Sequence, residues 1–159
     1  MEEILEILEK NSRISIESIA LMLDKSVDEV KSTMKKLEED GIIVGYNTLI
    51  NWDKTEKETV TALIEVKVTP QRGQGFDSVA ERIYRYPQVK ACYLMSGGFD
   101  LTVLIEGKSM KEVALFVAEK LAPLENVMST ATHFVLKKYK DKGIVFEERE
   151  KDDREAVIL

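Results

Sequence analysis

Three lysines at helical spacing are the first residues in this chain whose type and placement suggest chemistry. Lys31, Lys35 and Lys36 lie close together, and on a helix they share a broad face with Asp28, Ser32 and Thr33. Ammonium groups set out in this way neutralise phosphates, and a hydroxyl between them reaches a base edge or a phosphate oxygen. Arg13 is a further phosphate ligand upstream, and Ser26 supplies an N-cap for the lysine-bearing helix. The same residues also suit a solvated helix face with no partner.

A second cluster is built on glycine. Ser96-Gly97-Gly98 is followed by Phe99-Asp100, and glycine lets backbone N–H groups approach a ligand closely. A ligand carboxylate suits such N–H groups, and a ligand ammonium suits the Asp100 carboxylate. Leu94, Met110 and Phe134 offer an apolar wall, while Thr132 and His133 offer polar contacts. A hairpin turn that needs glycine for positive φ would carry the same residues and bind nothing.

Other chemistry is poorly provided for. With Cys92 the only cysteine and His133 the only histidine, the chain has neither an internal disulfide nor a self-sufficient zinc site. Both residues read as packed side chains. No Ser/His/Asp set, Walker loop or dinucleotide fingerprint is visible, so neither an enzyme nor a cofactor is expected. The chain has 159 residues, 44% of them hydrophobic and 33% charged, with a net charge of −6. No apolar run approaches the ~20 residues of a membrane span, and the N-terminus, Met1-Glu2-Glu3-Ile4, is acidic. A cytoplasmic protein without membrane contacts is expected. Residues 1–50 hold 6 basic and 11 acidic side chains, a balance of −5, so any nucleic-acid contact there must come from a local basic stripe.

The elements that would position these groups follow from periodicity. Ile4, Ile7 and Leu8 mark one amphipathic helix; Ile16, Ile19, Ala20 and Leu23 mark a second; Val27, Val30, Met34 and Leu37 mark a third. Ser12 or Ser15 caps the second helix and Ser26 the third. Only Asp24-Lys25-Ser26 separates them, which outlines a helix-turn-helix. Gly41 ends the third helix. Ile42 to Tyr46 and Leu49-Ile50 then suggest a small hairpin, a wing beside the basic helix. Polar residues 51–59 form a linker between this first domain, residues 1–50, and a second spanning 60–139.

In that second domain Val60, Ala62, Ile64, Val66 and Val68 alternate as a half-buried strand ending at Pro70. A helix carrying Phe76, Val79, Ala80 and Ile83 stops before Pro87. Strands are expected over 89–95 and 99–106, then a helix over Met110, Val113, Ala114, Val117 and Leu121, stopped by Pro123. A long strand follows from Val127 to Tyr139. The order βαββαβ is the ferredoxin-like split arrangement, so the fold class is α+β. The last helix also carries Leu115, Phe116 and Ala118, an apolar excess that calls for a partner subunit. Residues 140–159 form a charged extension, either a tail or an added edge strand.

Taken together, these features resemble the leucine-responsive/asparagine-regulator (Lrp/AsnC, feast/famine) family. Leu37-Glu38-Glu39-Asp40-Gly41-Ile42-Ile43 with Gly45-Tyr46 is similar to the family's recognition-helix exit. Tyr86-Pro87-x-Val89, Ser96 to Asp100 and Thr130 to Lys137 are similar to its ligand-domain pattern. The resemblance implies transcription regulation on double-stranded DNA and an amino acid or related metabolite as effector. It also implies homodimers whose sheets face each other, assembled into higher even-numbered oligomers. The effector would sit at contacts between ligand-domain dimers, near Asp100. One departure stands out: many relatives carry arginines where this chain has Ser32 and Thr33, which removes bidentate guanine donors. Two other readings share the architecture. One is an oligomeric metabolite-binding module with a degenerate helix-turn-helix. The other is a siroheme-decarboxylase-like enzyme that recruits His133, although strands 89–95 and 99–106 hold Lys90 and no arginine.

Overall fold

A computed structural model describes residues 1–69, 73 and 75–146. The chain divides into two compact units, Met1–Ile50 and Asn51–Leu159.

The first unit is three helices: α1 (Glu2–Lys10), α2 (Ile16–Met22) and α3 (Val27–Glu39). Ser15 and Ser26 cap α2 and α3, their side-chain oxygens accepting from the N–H groups of Ser18 and Glu29. Ser12 takes no capping role. Between the two helices the Lys25 N–H donates to Ala20 O, and Asp24 takes a left-handed φ of 52°. Ile4, Leu8, Ile19, Ala20, Val30 and Leu37 form the core, so the apolar faces expected from spacing do converge. Val27 does not join them; at the first position of α3 it is 42% exposed.

Helix α3 ends as its sequence dictates. Gly41 adopts φ 68°, its N–H donates to Glu38 O, and the Ile42 N–H donates to Leu37 O, which is a Schellman closure. Beyond it the expected hairpin does not form: residues 42–50 pair in no strand. A lone two-stranded ribbon is marginal without an apolar face to bury, and Val44, which would supply one, is 93% exposed. The segment is instead tethered by the Tyr46 hydroxyl, which donates to Glu38 Oε1 at 2.8 Å.

The second unit is a four-stranded antiparallel sheet in the order β2-β3-β1-β4, with two helices on one face. Its elements are β1 (Val60–Val68), α4 (Asp77–Tyr84), β2 (Val89–Leu94), β3 (Leu101–Gly107), α5 (Met110–Phe116) and β4 (Val127–Phe134). Helix α5 continues into a π turn over Val117–Leu121. Alternation along β1 puts Ala62, Ile64, Val66 and Val68 in the core with Val79 and Ile83 of α4 and Val113 of α5. Phe116 belongs to this core at 7% exposure, edge-on to Tyr86, so it is not part of an apolar surface awaiting a partner. Leu115 and Met110 are the large apolar residues of that helix left exposed.

Strand β4 stops at Phe134 rather than Tyr139. Its partner β1 begins at Val60, Ala62 is opposite Phe134, and the Val135 N–H makes the last rung to Thr61 O. Past that point no neighbouring strand remains among the described residues. Residues from Lys140 instead turn back as a two-rung hairpin, β5 (Lys140–Asp141) and β6 (Ile144–Val145). Pro70, the expected end of the first strand, and residues 147–159, most of the charged extension, lie outside the described residues.

Candidate functional site

The lysine-bearing face of α3 is built by burying its opposite side. With Val30 and Leu37 fully buried, Asp28, Lys31, Ser32, Lys35 and Lys36 are all exposed. Their freedom differs. Lys35 lies 3.5 Å from Glu39 and Lys25 lies 2.6 Å from Glu29, each one turn along the helix. That glutamate raises the Lys25 pKa through its hydrogen bond and its charge. Lys31 and Lys36 hold no acid among the described residues, so they are the cations on α3 left free for phosphate. The Thr33 hydroxyl donates to Glu29 O at 2.8 Å and the Ser32 hydroxyl to the same oxygen at 3.4 Å. Thr33 is therefore occupied with its own helix, whereas the longer Ser32 bond leaves that hydroxyl more easily redirected. Arg13 is exposed in the α1–α2 turn, where its N–H is held by Asn11 Oδ1. The Ser26 hydroxyl is spent on its cap. The restraint of Lys25 and Lys35 was not foreseen from the basic stripe, although the i,i+4 spacing of Glu29 and Glu39 is a signal that carries it.

The glycine cluster forms the connection between β2 and β3. It is longer than a tight turn: the strands end at Leu94 and resume at Leu101, and the Met95 N–H closes the loop on Asp100 O at 2.8 Å. Gly97 has φ 138°, a conformation that side-chain-bearing residues rarely adopt, while Gly98 has an ordinary φ and open space around it. The N–H groups of Ser96, Gly97 and Gly98 make no hydrogen bond to a described residue, and all three residues are exposed.

Asp100 is tied into the sheet. Its N–H donates to Val66 O at 3.1 Å, and its Oδ2 accepts from the Val68 N–H at 2.8 Å. The β1–β3 pairing ends at Val66 opposite Leu101, so the carboxylate takes up the next β1 N–H on that side, beyond the last rung. One carboxylate oxygen is left for a ligand.

The remaining candidates do not gather around this loop within one chain. Leu94 shares a rung with Leu101, Val66 and Thr130. Thr132 and Phe134 lie further along β4, three strand spacings away, or roughly 14 Å at ~4.8 Å per strand. They face the helices, Phe134 packing on the core, whereas His133 faces the open side with its Nε2 3.4 Å from Glu65 Oε1. Met110 begins α5, beyond the far end of β3, roughly 20 Å from the loop at ~3.3 Å per residue. Cys92 is half-buried against the core, and burial raises its thiol pKa. Among the described residues no group of His, Cys, Asp and Glu could hold a metal ion, and no helix is long and apolar enough to cross a membrane.

A capped helix-turn-helix with a basic outer face, followed by a βαββαβ sheet, defines a two-part regulator class. Comparison with known proteins agrees. Residues 2–44 match the winged helix-turn-helix DNA-binding model, and residues 61–145 match the Lrp/AsnC ligand binding domain. An uncharacterized HTH-type transcriptional regulator of Bacillus subtilis (strain 168), YugG, is 54% identical over 98% of this chain and 94% of its own length. Among solved structures, a Neisseria meningitidis transcriptional regulator in complex with L-Met has TM-score 0.71 at 23% identity, covering 87% of this chain and 89% of that one. A feast or famine regulatory protein of M. tuberculosis complexed with L-methionine has TM-score 0.72 at 20% identity, covering 88% and 92%. The chain belongs to the Lrp/AsnC family of transcription regulators. It is a DNA-binding transcription regulator.

Proposed function

We propose that this regulator grips double-stranded DNA through the exposed face of α3, with Lys31 and Lys36 as principal phosphate contacts, Lys35 and Arg13 as secondary ones, and Ser32 nearest the bases. The observation that carries this is the pair of unrestrained lysines on a capped helix whose other face is fully buried. Because residues 1–50 carry a net −5, a single helix-turn-helix binds weakly, and affinity comes from several copies acting together. An even-numbered homo-oligomer supplies them. Supporting this is the helix-free face of the sheet, where Leu63 sits between Leu104 and His133 and is 38% exposed, with Tyr93 nearby on β2. The role is a cytoplasmic one.

The effector we infer is an amino acid held at the 95–100 loop. Its carboxylate would meet the unbonded N–H groups of Ser96, Gly97 and Gly98, and its ammonium the spare oxygen of Asp100. L-methionine in two proteins of the same fold supports an amino-acid ligand class. Met110 and Thr132 to Phe134 lie too far along the same chain, so their participation requires neighbouring subunits. A gel shift on the chain's own upstream DNA, with and without each amino acid, tests this reading. Absence of a shift under every condition would favour a metabolite-binding oligomer that no longer touches DNA, to which the ion pairs at Lys25 and Lys35 lend some weight.

A further inference from the structure

The first turn of α3 carries two side chains that neither packing nor phosphate binding accounts for, Val27 and Asp28. Val30 and Leu37 turn one side of α3 into the core, and Asp28 points almost directly away from them, in line between Lys31 and Ser32 one turn on. It is exposed, and nothing among the described residues bonds its carboxylate, whereas the neighbouring Glu29 is held by Lys25. The helix dipole favours an acid in this turn, but Glu29 already supplies one. Val27 lies on the flank beside Lys31 and is exposed. As a β-branched residue at an unburied position, it gains little from packing and nothing from helix propensity. A carboxylate on a surface that meets phosphates is a cost unless it finds a donor.

Such donors exist on the edges of the bases. In the major groove only cytosine N4 and adenine N6 donate, while guanine O6 and N7, adenine N7 and thymine O4 accept. A recognition helix enters that groove with its N-terminal residues against base edges, and Val27 and Asp28 are the first two residues of α3. A carboxylate accepts only, so it is repelled by guanine and thymine. Adenine sets its N7 acceptor beside N6, where the second carboxylate oxygen would meet it; cytosine has a C–H on that side. A valine methyl has one good complement in the groove, the C5-methyl of thymine. Ser32 adds little discrimination, because a hydroxyl both donates and accepts, and Lys31 and Lys36 are spent on phosphates.

We propose that Asp28 and Val27 select the operator sequence, Asp28 accepting from the N4 amino group of a cytosine and Val27 packing on the methyl of a neighbouring thymine; this deepens the reading of α3 as the DNA surface and rests on it. Selection of bound duplexes from a randomised library, with the full-length protein and with Asp28→Asn and Val27→Ser, tests it. Both residues are exposed, so both variants should melt close to wild type. Wild type should enrich a motif with a fixed cytosine next to a fixed thymine. Asparagine pairs with adenine through N6 and N7, so Asp28→Asn should replace that cytosine by adenine. It should also bind mixed-sequence DNA more tightly, one negative charge having left the groove. On the selected duplex, exchanging the cytosine should weaken wild type roughly tenfold or more. Deoxyuridine in place of the thymine should weaken wild type but make no difference to Val27→Ser, and equal binding of both duplexes by wild type would overturn the part given to Val27. Wild type enriching no motif would overturn the proposal. If Lys31→Ala, Lys35→Ala and Lys36→Ala together weaken binding while Asp28→Asn selects the wild-type motif, α3 stands as the DNA surface and base selection by Asp28 fails. If the lysine variant binds as wild type does, both fail.

Discussion

The Asp100 carboxylate and the Val68 amide are bonded across the sheet, Oδ2 accepting from N–H at 2.8 Å just past the last β1–β3 rung, Val66 opposite Leu101. Asp100 therefore braces the sheet in addition to any part in effector binding. Asp100→Ala should lower stability by roughly 1–2 kcal/mol, since it strands a backbone N–H. Asp100→Asn keeps an acceptor and should cost less. Urea melts of the two variants check the order. Only Asp100→Asn separates effector binding from structural loss, because alanine would disturb both.

Gly97 and Gly98 should respond differently to the same change. Gly97 is at φ 138°, and a side chain there is strained; Gly98 has an ordinary φ with nothing within 4 Å of a built Cβ. Gly97→Ala should destabilise by about 1 kcal/mol or more, and Gly98→Ala should be near neutral. Thermal melts of both variants decide it. Equal costs would mean the loop is not held in this conformation.

The Cys92 thiol should be slow to alkylate. Half-burial raises its pKa by penalising the thiolate, and the thiolate is the reactive form. Iodoacetamide should modify the native protein more slowly than the protein unfolded in guanidinium, with the native rate still rising at higher pH. Equal rates would show that the β2 edge opens freely.

Much of the fold is legible in the sequence, and the failures share a cause. The caps at Ser15 and Ser26, the Gly41 stop and the alternation of β1 are local signals, and each formed the element its spacing implied. The misreadings depended on partners elsewhere in the chain. Strand β4 ended where β1 ran out; the hairpin over 42–50 had no face to bury; Phe116 turned inward onto Tyr86. Asp100's bond to Val68 depends on where β3 stops pairing with β1, which no local pattern announces. Likewise, the separation of Met110 from Ser96–Asp100 reflects the length of β3, which periodicity sets but does not relate to a site.

The open sheet face should be where subunits meet. Leu63 occupies its centre, opposite Leu104 and His133. Leu63→Lys places a charge there that an exposed position tolerates but a subunit interface does not. Light scattering should show an even-numbered oligomer for wild type and a smaller species for the variant, with the helical circular dichroism retained. An unchanged mass would move the interface elsewhere.

The most direct test of DNA recognition is fluorescence anisotropy on the chain's own upstream DNA across a salt series, for wild type and for the combined Lys31→Ala, Lys35→Ala and Lys36→Ala variant. Wild-type affinity should fall steeply with salt. The variant should bind more weakly, with a log–log slope shallower by about 0.9 for each phosphate that is no longer neutralised. A variant that kept the wild-type affinity and slope would contradict α3 as the DNA-binding surface.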